Sequence, residues 1–216
     1  MSQSKIEKTS RSEIPPLTEP VLQRKDFETI LAVRPAAVLL RDTLKILGRV
    51  DDSANLSDIL FVAQECGVIE GDLQRGEIYN FSPFGPEPYR PVSGEFEYDL
   101  VFLEHYQVIS RSKREEIFWP LGEEELSEEE LDLRPMGAIK KPGLLKKIAQ
   151  IAPERLRSMA QLLVVRRNAE DDKEFFERAK KCLFLSEDKM LKLMIELAAI
   201  VNQVRQEGEV NVKRNG

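Results

Sequence analysis

A histidine between an acid and a phenol, Glu104-His105-Tyr106, is where side-chain types in this 216-residue chain come nearest to proton-transfer chemistry. Such chemistry needs a reacting partner group, and no nucleophile elbow, phosphate loop or second imidazole accompanies it, since His105 is the only histidine. A site built on two imidazoles is excluded for the same reason. Asp51, Asp52 and Asp58 supply carboxylates without the spacing or the glycine of an EF-hand, so calcium is not indicated. Cys66 and Cys182, the only two cysteines, lie in apolar helical patterns with no CxxC and no nearby histidine. They read as buried thiols. No catalytic, cofactor-binding or metal-binding residue is expected, and binding takes the place of catalysis.

Two kinds of binding chemistry are present. Between Lys140 and Arg167 there are eight basic residues (Lys140, Lys141, Lys146, Lys147, Arg155, Arg157, Arg166 and Arg167) against one acid, Glu154. Several cations on adjacent helical turns can displace counterions from a nucleic-acid backbone. Seven acids between Glu123 and Asp132 could instead pair with them within the chain. The second kind is apolar. From Val68 to Pro91, glycines and prolines alternate with Tyr79, Phe81, Phe84 and Tyr89. Prolines fix the path, so Phe84, Pro86 and Tyr89 form a candidate edge for a protein partner at little entropic cost, and Trp119 on a later β-prone run is a further candidate contact. The competing reading is that these aromatics plug the chain's own core.

The elements that would position these groups follow from periodicity and caps. Residues 1–24 are polar, carry Pro15, Pro16 and Pro20, and read as a flexible arm. A short helix is expected over 25–33, then a second from Pro35 to about Leu47, with Gly48 suited to its end. Asp51, Asp52, Ser53 and Asn55 offer N-caps for a helix that runs to Gly67. The Gly/Pro-rich stretch reads as an ordered loop. Ser93 can cap the next helix, with Phe96, Leu100, Leu103 and Val101 inward. Two β-prone runs, Val108 to Ser110 and Ile117 to Trp119, flank a charged centre and suggest a wing hairpin. Four more helices are expected: Gly143 to Ile151, Pro153 to Arg167, Glu170 to Leu185, and Ser186 to Arg205. The last would bury Leu191, Leu193, Met194, Leu197 and Ile200. The expected fold is mainly α, with a winged-helix-like module over 25–121, an acidic linker over 122–139, a helical region over 140–206 and a flexible tail over 207–216.

The run from Leu56 to Ser110 resembles the Panacea domain, the SocA-like antitoxin and phage-associated family. Leu56, Ile59, Leu60, Phe61, Ala63 and Gln64 fit its early LxKLLYxAQ-like helix. Phe81, Phe84, Gly85 and Pro86 fit its aromatic Gly-Pro segment, and Asp99, Leu100, Leu103, Val108 and Ile109 its later helix. Asp58 stands where the pattern has a basic residue, and Glu87-Pro88 where it has Ser or Gly. The resemblance covers about a third of the chain. It implies a helical, winged-helix-like protein that binds another protein directly, as toxin neutraliser or adaptor, without catalysis.

The expectation is therefore a non-catalytic, antitoxin-like or adaptor protein that binds a partner protein. The alternative is a nucleic-acid-binding regulator using the wing (Arg111, Lys113, Arg114) and Lys140, Lys141, Lys146, Lys147, Arg155 and Arg157. Against it, the module's recognition helix carries Glu95, Glu97, Asp99 and Glu104 and no Lys or Arg, which repels phosphate. A third reading is a structural subunit of a larger assembly, favoured if apolar faces near the C-terminus are exposed. A first segment without an apolar stretch, and no run of about 18 apolar residues, make a cytoplasmic protein the expectation.

Overall fold

Pro35 opens the first helix among the described residues, where its missing N–H costs nothing, and α1 runs Pro35–Leu47. Gly48, at φ 71°, then donates its N–H back to the Leu44 carbonyl at 2.8 Å, a left-handed stop that a side chain would strain. The computed structural model describes residues 35–69, 82–84, 88–105, 108–112, 116–118 and 139–214. Among these the protein is mainly helical. The arm over 1–24, the expected helix over 25–33 and the acidic run Glu123 to Asp132 lie outside them.

After β1 (Arg49–Val50), Asp52 caps α2 (Ser53–Glu65) by accepting from the Asn55 N–H at 2.6 Å. Gly67, at φ 75°, ends the helix, and the Val68 N–H returns to the Ala63 carbonyl at 2.8 Å. The stretch expected as an ordered loop contains a hairpin: β2 (Ser82–Phe84) is antiparallel to β3 (Pro88–Val92), with Ser82 opposite Val92 and Phe84 opposite Pro88. Two-stranded pairing leaves an outer edge on each strand, which is why Pro83, Pro88 and Pro91 are tolerated there. Ser93 caps α3 (Gly94–His105), accepting from the Phe96 N–H at 3.4 Å. Where two β-prone runs were expected over Val108 to Ser110 and Ile117 to Trp119, β4 (Ser110–Arg111) and β5 (Ile117–Phe118) pair antiparallel, and β5 also pairs with β1 in a sheet of order β1-β5-β4. Arg49 reaches Glu116 at 2.5 Å across that sheet.

The remaining elements are α4 (Pro142–Ala149), α5 (Pro153–Arg167), α6 (Asp172–Leu183) and α7 (Glu187–Arg214). Pro153 starts α5, Asp171 caps α6 through the Glu174 N–H at 2.7 Å, and Ser186 caps α7 through the Lys189 N–H at 3.4 Å. The last helix does not stop at Arg205 but continues to Arg214. Gly208 alone, costing about 1 kcal/mol, does not break it, and no proline follows.

Helices α2 and α5 pack together at the centre, with β3 and α6 against α5, α7 beyond, and α1 against α3 and α4. One apolar core runs from Leu40 and Leu44 through Leu56, Phe61 and Phe96 to Leu145, Met159, Phe175 and Leu193, so residues of the module and of the C-terminal helices share it. Each such side chain contributes about 1.5–3 kcal/mol by leaving water. The two flanks of 70–138 meet where Ile69 pairs with Ile139 and the Lys140 N–H donates to the Val68 carbonyl at 3.1 Å. Two side chains expected inward point out. Val101 is 58% exposed and Leu191 55%, because the buried rows are Phe96, Leu100 and Leu103 on α3, and Met190, Leu193 and Leu197 on α7. Each outward residue sits about 100° round its helix from the nearest of these.

Candidate functional site

The basic residues are the first candidate, and the four arginines of α5 are all engaged by carboxylates of the same chain. Arg155 pairs with Glu196 of α7, Arg157 with Asp58 of α2 at 4.0 Å, Arg166 with Asp172 at 2.7 Å, and Arg167 with Glu65 of α2 at 3.8 Å. Asp58 is 1% exposed, so Arg157 supplies charge to a buried carboxylate. Lys147 reaches the side chain of Gln203 at 3.5 Å, and Lys140 and Lys146 are exposed, with Lys141 half-buried. On β4, Arg111 lies 3.6 Å from Glu104, and Lys113 and Arg114 lie outside the described residues. The four arginines of α5 and Arg111 are thus dispersed over intramolecular ion pairs.

The apolar edge proposed from sequence is only partly placed. The backbone of Phe84 and Tyr89 lies on the β2–β3 hairpin; their side chains, and all of Pro86 and Trp119, lie outside the description. The hairpin is tied to the core, since the Ser57 hydroxyl donates to the Pro91 carbonyl at 3.3 Å and Pro91 and Ser93 are buried.

The sequence reading missed a different apolar surface. Among the described residues, four of the six large apolar side chains left exposed lie on the α6–α7 hairpin: Phe176 at 40%, Phe184 at 89%, Leu191 at 55% and Ile195 at 59%. Phe176 and Leu191 border a hollow of about 520 Å³, rimmed by Glu177 and Asp188 and by Lys180, which pairs with Glu187 at 3.3 Å. A smaller apolar hollow of about 150 Å³ lies between Leu162, Leu163, Phe175 and Met194. Phe184 ends α6 in the left-handed region, φ 52°, where a bulky side chain costs about 1–2 kcal/mol. Nothing in the fold offsets that cost, because the ring is in water. The remaining two exposed apolar side chains, Tyr98 and Val101, share the outer face of α3.

For proton or metal chemistry the geometry offers little. His105 is exposed at the end of α3, and no group of three or more His, Cys, Asp or Glu side chains able to hold a metal ion occurs among the described residues. Burial, with a smaller contribution from Glu65, pushes the Cys66 thiol up to about 12, which removes it as a nucleophile at neutral pH. No helix among the described residues is long and apolar enough to cross a membrane. No family model, no curated protein and no solved structure matches the chain.

Proposed function

We propose that this protein is a non-catalytic binding module for a partner protein, in the manner of an antitoxin or adaptor. The observation that carries the reading is the row of large apolar side chains left in water on the α6–α7 hairpin, because burying each would release about 1.5–3 kcal/mol. Phe176 and Phe184 are of the aromatic type enriched at the centre of protein interfaces. The order α1, β1, α2, β2, β3, α3, β4, β5, with sheet order β1-β5-β4, supports a winged-helix-like reading of this half. Together with the residues that resemble the Panacea domain, this order supports a module that recognises a protein. The acidic recognition helix and the paired arginines of α5 weigh against nucleic acid as the partner.

A second reading, a structural subunit of a larger assembly, is favoured by the same exposure near the C-terminus. On α7, Leu191, Ile195, Ala198 and Asn202 recur at four- and three-residue spacing on the outer side, as a helix that packs on a neighbour would present them. Affinity capture of the tagged protein, with and without nuclease, separates these readings from the nucleic-acid one. A stoichiometric protein that survives nuclease and is lost in Leu191→Asp supports protein binding. Capture that nuclease abolishes refutes it.

A further inference from the structure

We infer that two copies of this chain pair antiparallel through the outer side of α7, an inference that rests on the assembly reading above and names the neighbour. Helix α7 turns Met190, Leu193 and Leu197 into the core. On the side facing away from them, Leu191, Ile195, Ala198 and Asn202 are exposed, and Asp188 and Arg205, also exposed, extend the same stripe at its two ends. From Asp188 to Arg205 the stripe steps by three, four, three, four and three residues. That order reads the same from either end, with its midpoint between Glu196 and Leu197. A two-fold axis at the midpoint lays the stripe of one copy along that of another running the opposite way.

The side chains identify the occupant. About that axis Ile195 meets Ala198 of the second copy, large against small, while Leu191 meets its Asn202 and Asp188 meets its Arg205. Each contact occurs twice, as in any isologous interface. Opposite charges thus face each other at both ends, whereas a parallel pair would set Asp188 against Asp188 and Arg205 against Arg205. Among the described residues neither Asp188 nor Arg205 has an ion-pair partner within the chain. The helix dipole accounts for Asp188 in a first turn but not for Arg205, which lies well before the end of α7 at Arg214. The stripe is about 25 Å long, and a band about 10 Å wide along it covers about 250 Å² of each copy. Lys192, Ala199 and Gln206, exposed beside it, add to that area. A stable interface covers about 800 Å² per partner, so this pairing is weak and depends on concentration.

The test is analytical sedimentation of the purified full chain over a concentration series. A monomer–dimer equilibrium is expected, and Ile195→Asp should remove it. Asp188→Arg and Arg205→Asp each turn two facing attractions into repulsions and should weaken association by about tenfold, while the double variant restores it. Circular dichroism confirms that each variant is folded. A dimer indifferent to the charge changes or to Ile195→Asp overturns the inference. A chain that stays monomeric yet captures a different protein, with capture lost in Leu191→Asp, also overturns it and leaves the assembly reading standing. A chain that neither pairs nor captures overturns both.

Discussion

Replacing Phe184 by glycine should make the protein more stable, although it deletes a phenyl ring. Phe184 holds φ 52° with its ring 89% exposed, so the ring gives the fold little and the backbone is strained. Relief of a left-handed conformation in a residue with a Cβ returns about 1–2 kcal/mol. The added freedom of glycine in the unfolded chain takes back about 0.4–1 kcal/mol. The small buried fraction of the ring, about 20 Å² of the roughly 200 Å² a phenylalanine offers, takes about 0.5 kcal/mol more. The balance is a gain of about 0.3 kcal/mol, and Phe184→Asn, which tolerates the conformation without the full entropy loss, should gain somewhat more. Urea titration followed by circular dichroism reads this as a slightly higher midpoint at unchanged slope. Partner capture should weaken in the same variants. A loss of stability above about 1 kcal/mol would refute the reasoning, because it would mean that the ring packs on the hairpin and holds it.

Phe96→Ala should cost about 3–5 kcal/mol, since Phe96 is 1% exposed at the centre of the shared core, and chemical denaturation reads it directly. Arg157→Ala should cost about 2 kcal/mol by leaving Asp58 without its cation, and combining it with Asp58→Asn should cost clearly less than the sum of the two single changes. At pH 8, Ellman's reagent should label Cys182 quickly and Cys66 only after unfolding, because the Cys66 thiol is pushed up to about 12. Since that folded value lies above the unfolded one of 9.0, the Cys66 contribution to stability is complete below about pH 9 and declines as pH rises towards 12. The stability difference between wild type and Cys66→Ala should shrink over that window.

Local chemistry was legible in the sequence. Pro35, Asp52, Ser93, Pro153 and Ser186 begin helices as their side chains require, and Gly48 and Gly67 end them, because caps and turns depend on a few adjacent residues. The β2–β3 hairpin was not legible, since prolines that usually deny a strand are accommodated on two-stranded edges. The exposure of Val101 and Leu191 also escaped. An apolar residue one position from a buried row has the same composition whether it points in or out, and only the neighbouring elements decide. The fate of the α5 arginines was hidden for a related reason. Glu65, Asp58 and Glu196 are remote in sequence and are brought to α5 by packing.

The pairing of Ile69 with Ile139 bears on the order in which this chain assembles. The two residues are separated by 139 − 69 = 70 positions, so their bridge forms only after the ends of a long loop have met, whereas α6 and α7 join through a short turn. Folding is therefore expected to start in the C-terminal helical hairpin and to close at Ile69 and Ile139 late, with strand β5 finding β1 in the same step. Because closure entropy grows only logarithmically, doubling the intervening length would cost about 0.6 kcal/mol. Lengthening of the stretch between Ile69 and Ile139 would thus tax folding speed more than final stability.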